Sequence, residues 1–242
     1  MHLCSISHTF DRRTTPQQYT IVNPAKSVFE VRFSGPAREF NLVTNIVRSL
    51  GVSHPSNQNS LVDPRNIRIH GADKRTSIYI QASRFAINIE DNITLSESIK
   101  TILDLSRKIT LQAHWGNMAR IGFRTMWAYE VSSFEELVAI SKNALFKDTE
   151  LISSATDVAM PLTLTHQHAK INYNYGPMKR EELPMFGFEF PLEYPDCFAF
   201  IDVDYFREVN QPLSDKYLKE FLRKASPFIN STVQSTIKSL GI

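Results

Sequence analysis

Residues Ile121, Phe123, Trp127, Tyr129 and Val131 alternate with Arg120, Gly122, Arg124 and Glu130. Apolar groups at every second position share one face of a β-strand and no face of a helix, so the run predicts one long half-buried strand over 118–131. A strand of this kind needs a sheet with one apolar face, and that face must be covered by another layer.

Shorter versions of the pattern surround it. SVFEVRF at 27–33 alternates Phe29, Val31 and Phe33 with Val28, Glu30 and Arg32, and Ser34, Gly35 and Pro36 stop it. Phe40, Val43, Val47 and Leu50 follow at helical spacing, with Gly51 placed to cap the helix end. Ile67 with Ile69, Ile78 with Ile80, and Phe85 with Ile87 and Ile89 predict an antiparallel meander of three strands. Thr94 and Glu97 have capping-box spacing for a helix over 95–111, and Ser133 with Glu136 repeats it ahead of Leu137, Val138 and Leu145. Strands are expected over 158–165, 169–175 and 198–206, with a weaker one at 186–190. A terminal helix then starts at Ser214 and should kink or split at Pro227.

The order strand, helix, three or four strands, helix therefore occurs twice. We expect an α+β fold: antiparallel sheet with helices on one face, built as a tandem duplication. Residues 1–26 form a poorly packed segment, 27–114 a first unit and 115–242 a second; the alternative is one continuous domain without a repeat. The order resembles the helix-grip topology of TATA-binding-protein-like modules, a likeness of fold that carries no function.

Composition narrows the function classes. The 242 residues carry 27 Lys and Arg against 25 Asp and Glu, a net charge of +2, which lacks the basic excess of many nucleic-acid binders. Cys4 and Cys197 lie far apart and form no CxxC pair, so neither a disulfide framework nor a thiolate zinc site is signalled. No apolar run is long enough to span a bilayer, and a cytoplasmic location without membrane association is expected. GxSxG, GxGxxG, HExxH and the phosphate-loop motif are absent, and no cofactor is expected.

Three groups of residues remain as candidates. Arg68, Arg84, Arg120 and Arg124, with Gly122 leaving a slot between two arginines, offer cations for nucleic acid or another anion. The competing reading pairs these arginines with Glu30, Glu90 or Glu130 across strands. His166 and His168, on one strand, would form a metal site with Asp202 and Asp204 if the two segments met. Cys197 has no neighbouring base in sequence and reads as a structural thiol. FAFIDVDYFREVN at 198–210 resembles the first strand and turn of diguanylate cyclase domains, in which the counterparts of Asp202 and Asn210 serve metal and nucleotide; the Gly-Gly-acidic-acidic-Phe hairpin that the cyclase needs is missing from the residues that follow.

ARIGFRTMWAYEVSSFEEL at 119–137 resembles the R-I-G-x-R-Y-x-N motif of a sporadically distributed bacterial family of uncharacterised proteins of about this length. Arg120, Ile121, Gly122 and Arg124 match it, whereas Thr125 and Trp127 stand in place of its tyrosine and asparagine. The resemblance implies no activity and no catalytic residues; the scattered distribution is associated with accessory or defence loci. The expectation is a non-enzymatic adaptor that engages a protein partner through its sheet and its terminal helix. A nucleic-acid-binding module on the arginine-bearing face is the alternative, and a metal-dependent hydrolase the second alternative.

Overall fold

The computed structural model describes residues 23–36, 62, 63, 66–71, 74–111, 114–147 and 149–242. The helix expected over 36–50 lies outside them, as do Cys4 and most of the expected N-terminal segment. Among the described residues nine strands make one sheet: β1 (Lys26–Phe33), β2 (Val62–Asp63), β3 (Asn66–His70), β4 (Thr76–Gln81), β5 (Arg84–Ile89), β6 (Asn117–Glu130), β7 (Met160–His166), β8 (Ala169–Lys179) and β9 (Cys197–Pro212). Their order is β2-β3-β4-β5-β1-β6-β9-β8-β7, and each neighbouring pair is antiparallel.

The alternation in sequence becomes a partition in space. Phe29, Val31, Phe85, Ile87, Ile121, Phe123, Trp127, Ile171, Tyr173, Ile201, Val203 and Tyr205 join one core. Covering it are α1 (Leu95–Thr110), α2 (Phe134–Leu145) and α4 (Asp215–Leu240); the single turn α3 (Glu150–Ser154) has no buried residue. The α+β architecture with helices on one face of an antiparallel sheet is thus present. Outward from the β1/β6 pair the strands run β1-β5-β4-β3-β2 on one side and β6-β9-β8-β7 on the other, within one continuous sheet, and the expected tandem duplication is not established by this order.

Local chemistry sets the element ends. The Thr94 hydroxyl accepts from Glu97 N while the Glu97 carboxylate accepts from Thr94 N, a complete capping box for α1. At α2 the box is half made: Ser133 accepts from Glu136 N, but the Glu136 carboxylate turns to the Ser132 hydroxyl. A two-residue turn joins β7 to β8, with Gln167 and His168 at φ 46° and 66°, the left-handed pair of a type I′ hairpin.

Four expectations are corrected. Lys26, assigned to the poorly packed segment, begins β1 and is buried. Residues 186–190 are not a strand: a 3₁₀ segment, Arg180–Phe186, ends at Gly187 with φ 72°, and a short one, Pro191–Glu193, follows. β9 runs past 206 to Pro212, because β6 provides it with partners as far as Asn117. Pro227 neither ends nor splits α4; it sits on the exposed side, where water can reach the Arg223 carbonyl that it leaves without a donor. The apolar stripe of α4, from Leu218 to Leu240, is spent on the core, so this stripe is not the surface that a partner meets.

Burial pushes the Tyr173 phenol from its ordinary 10.0 up to about 12, against the pull of its hydrogen bond with Thr236, and burial also raises Tyr129 and Tyr194. The folded state then keeps a proton that the unfolded chain loses, so this stabilisation is complete below pH 10 and disappears as pH rises towards about 12. The urea midpoint should fall across that window, and Tyr173→Phe should make the fall shallower.

Candidate functional site

The sheet face opposite the helices divides in two along its central strands. At one end Met126, Met178, Leu183, Phe188, Phe198 and Phe200 form a second apolar cluster beneath the 3₁₀ segments. This strap, residues 180–196, connects β8 to β9 and reaches across to the other half of the sheet. The Glu90 carboxylate accepts from Glu189 N and Phe190 N, while Lys26 bonds the Gly187 carbonyl and lies 3.5 Å from Glu90. Burial lowers the Lys26 pKa, and the Glu90 charge works in the opposite direction. Arg75 pairs with Glu193 at 2.6 Å, and the Tyr194 hydroxyl donates to the Ala25 carbonyl.

The other end is charged. Register places Glu30 beside Gly122 and Arg124 beside Asp204, so β1, β6 and β9 bring acids and bases into one lattice. Arg120 spans it: Nη1 donates to Glu30 Oε1 at 2.9 Å and Nη2 to Asp204 Oδ2 at 2.8 Å, with the guanidinium carbon 4.4 Å from the centre of the Phe206 ring. Arg124 grips Asp202 with two bonds of 2.7 Å, from Nε and Nη2. Glu30 also receives Arg32 at 2.7 Å and Arg84 at 3.4 Å. Burial raises the Asp204 pKa, opposed by the charges of Arg120 and Arg124. For Arg124, burial lowers the pKa, but the bonds and charge of Asp202 outweigh it and leave it raised.

Gly122 has a definite role. A Cβ built there would stand 3.3 Å from Arg120 Nη1 and 3.4 Å from Phe206 Cβ. The slot foreseen between two arginines is filled by the guanidinium of Arg120 itself, which a Cβ at this position would crowd by a few tenths of an ångström. Arg120 is paired with Glu30, one of the acids the competing reading named, and also with Asp204, while Arg124 is paired with Asp202; that reading named neither aspartate. Glu90, however, serves Lys26 and the strap.

The remaining candidates separate. Arg84 belongs to the lattice, bonding Gln81 and Glu30. Arg68 lies three strands from β1 in the sheet order, where it pairs with Glu189 of the strap and faces the Tyr79 ring. His166 is on the helix-covered face, stacked on Phe228 at 4.6 Å, and His168 is in the β7–β8 turn; Asp202 and Asp204 are on the opposite face. These four residues do not converge. Among the described residues no group of three or more His, Cys, Asp or Glu could hold a metal ion. The half-buried Cys197 thiol donates to the Val131 carbonyl at 3.6 Å, and burial together with Asp196 raises its pKa, the reverse of activation. A cleft of about 820 Å³ lies elsewhere, between α2 and residues 179–182; its floor is set by Val138 and by Phe134, over which Lys179 is placed.

The chain matches no known family model and no curated protein. Among the described residues no helix is long and apolar enough to cross a membrane.

Arg120→Met would leave Glu30 and Asp204 facing each other without their shared cation. The expected loss at pH 7 is about 2–3 kcal/mol, below that for a fully buried pair because the side chain keeps part of its surface in water. Urea unfolding at pH 5 should show a smaller loss than at pH 7, since Asp204, already raised by burial and no longer opposed by the Arg120 charge, then takes up a proton more readily.

Proposed function

We propose that this is a non-enzymatic binding protein whose docking platform for a protein partner is the charged end of the open sheet face. The observation that carries this reading is the internal pairing of the lattice. Arg120 is held by Glu30, Asp204 and Phe206, and Arg124 by both oxygens of Asp202, so little conformational freedom is left for a partner to remove. Four guanidiniums, those of Arg32, Arg84, Arg120 and Arg124, meet three carboxylates, those of Glu30, Asp202 and Asp204. A surface of both signs with a surplus of one positive charge suits the mixed charge of a protein surface, with one partner carboxylate received between Arg32 and Arg84. A polynucleotide draws instead on a row of unpaired cations.

Arg32 and Arg84 test the reading because each is about half exposed and neither supports the core. Co-purification from source cells should recover one protein in stoichiometric amount, and Arg32→Gln with Arg84→Gln should release it while the fold is retained by circular dichroism. Fluorescence anisotropy with labelled single-stranded and duplex DNA should show only weak binding. Tight binding that weakens steeply with salt, and is lost in the double variant, would establish the nucleic-acid alternative instead.

A further inference from the structure

Among the described residues β7 is an outer strand of the sheet, paired there on one side, with β8. A type I′ hairpin closes on a hydrogen-bonded pair, here His166 with Ala169, so Leu164 and Leu162 also direct their backbone groups at β8. The backbone groups of Pro161, Thr163 and Thr165 consequently point away from the sheet, and their side chains are exposed. Edge strands are ordinarily protected by lysines, other charges or proline, and here Pro161, near the start of the strand, is the one such residue. This one, MPLTLTH, has no Lys, Arg, Asp or Glu, and its histidine is packed under α4 against Phe228.

On the helix side of the edge runs an open groove of about 420 Å³. Met160, Leu162, Leu164 and Phe228 form its apolar wall, and Ser231 and Ser235 of α4 are among the small hydroxyl residues opposite. Leu162 keeps 43% of its surface exposed there.

We infer that the β7 edge is a homodimer interface, where a second copy of this chain pairs its own β7 antiparallel about Thr163. The strand is self-complementary in that register. Thr163 of each copy donates to and accepts from the other, and each Thr165 N–H meets a Pro161 carbonyl, the one backbone group that this proline can offer. Leu162 then lies against Leu164 of the partner subunit in the groove, and the absence of charge on the strand means that the two-fold axis brings no like charges together. A strand from a different protein finds the same backbone groups, but a second copy brings the symmetric leucine pairing and the lack of charge with it. Pairing of this kind keeps the helices of both copies on one side and makes the two open faces continuous.

Analytical ultracentrifugation over a dilution series tests this. The full chain should sediment as a concentration-dependent dimer. Thr163→Lys, at an exposed position, should raise the dimer dissociation constant by at least about tenfold, because it sets two like charges directly opposite each other. Thr163→Glu should do the same, and an equimolar mixture of the two variants should restore dimers. A wild-type chain that stays monomeric at every concentration overturns the inference. So does a dimer that both substitutions leave intact, which would lie on another surface, and so does a monomer that takes up a strand of another protein at this edge.

Discussion

Arg120 lies where β1, β6 and β9 run side by side, and one guanidinium ties the three together through Glu30 and Asp204. Two carboxylates held this close on a partly dried surface repel each other, and a cation between them turns that repulsion into a cross-strand clamp. The clamp needs a planar group lying flat on the sheet. Gly122 leaves room for it and the Phe206 ring supports it from the side. A lysine would supply the charge but not the two-ended reach, so the geometry belongs to arginine.

Around this clamp the open face is settled in two different ways. Where the outward residues are charged, they satisfy one another and remain at the surface. Where they are apolar, as at Met126, Phe198 and Phe200, the strap lies over them. Glu90 holds that strap by its backbone, which fixes its position without regard to the side chains it carries, and Lys26 keeps the buried carboxylate compensated. Because the strap leaves from β8 and is anchored beside β1 and β5, it joins parts of the sheet that are far apart in sequence. A platform backed by a helical layer on one side and bounded by this strap on the other has little freedom to deform.

Much of this was legible in the residues. Alternation over 118–131 foretold β6 and the one-sided sheet, the Thr94 and Glu97 spacing foretold the start of α1, and Glu30 was a foreseen partner for the arginines. Other parts were misread for identifiable reasons. Phe198 to Val203 is apolar on both faces at its start, a sign that something covers the second face there, and the strap is that cover. Pro227 looked like a break because proline leaves the Arg223 carbonyl without a donor; its place off the apolar stripe, on the side facing water, is what makes that tolerable. His166 and Asp202 each alternate correctly within their own strands, yet nothing local states which face of the sheet each strand turns towards the other.

Period and spacing, which are properties of neighbouring residues, determined that the chain forms long amphipathic strands, where its helices begin and which side of each strand is apolar. The order of the strands, the seat of Arg120 against Gly122, the separation of Arg68 from Arg120 and of the histidines from the aspartates, and the outer place of β7 among the described strands arise from pairing between distant segments. Cross-strand register is set by the packing of the whole layer, so each of these features exists only once the sheet has closed on its helices.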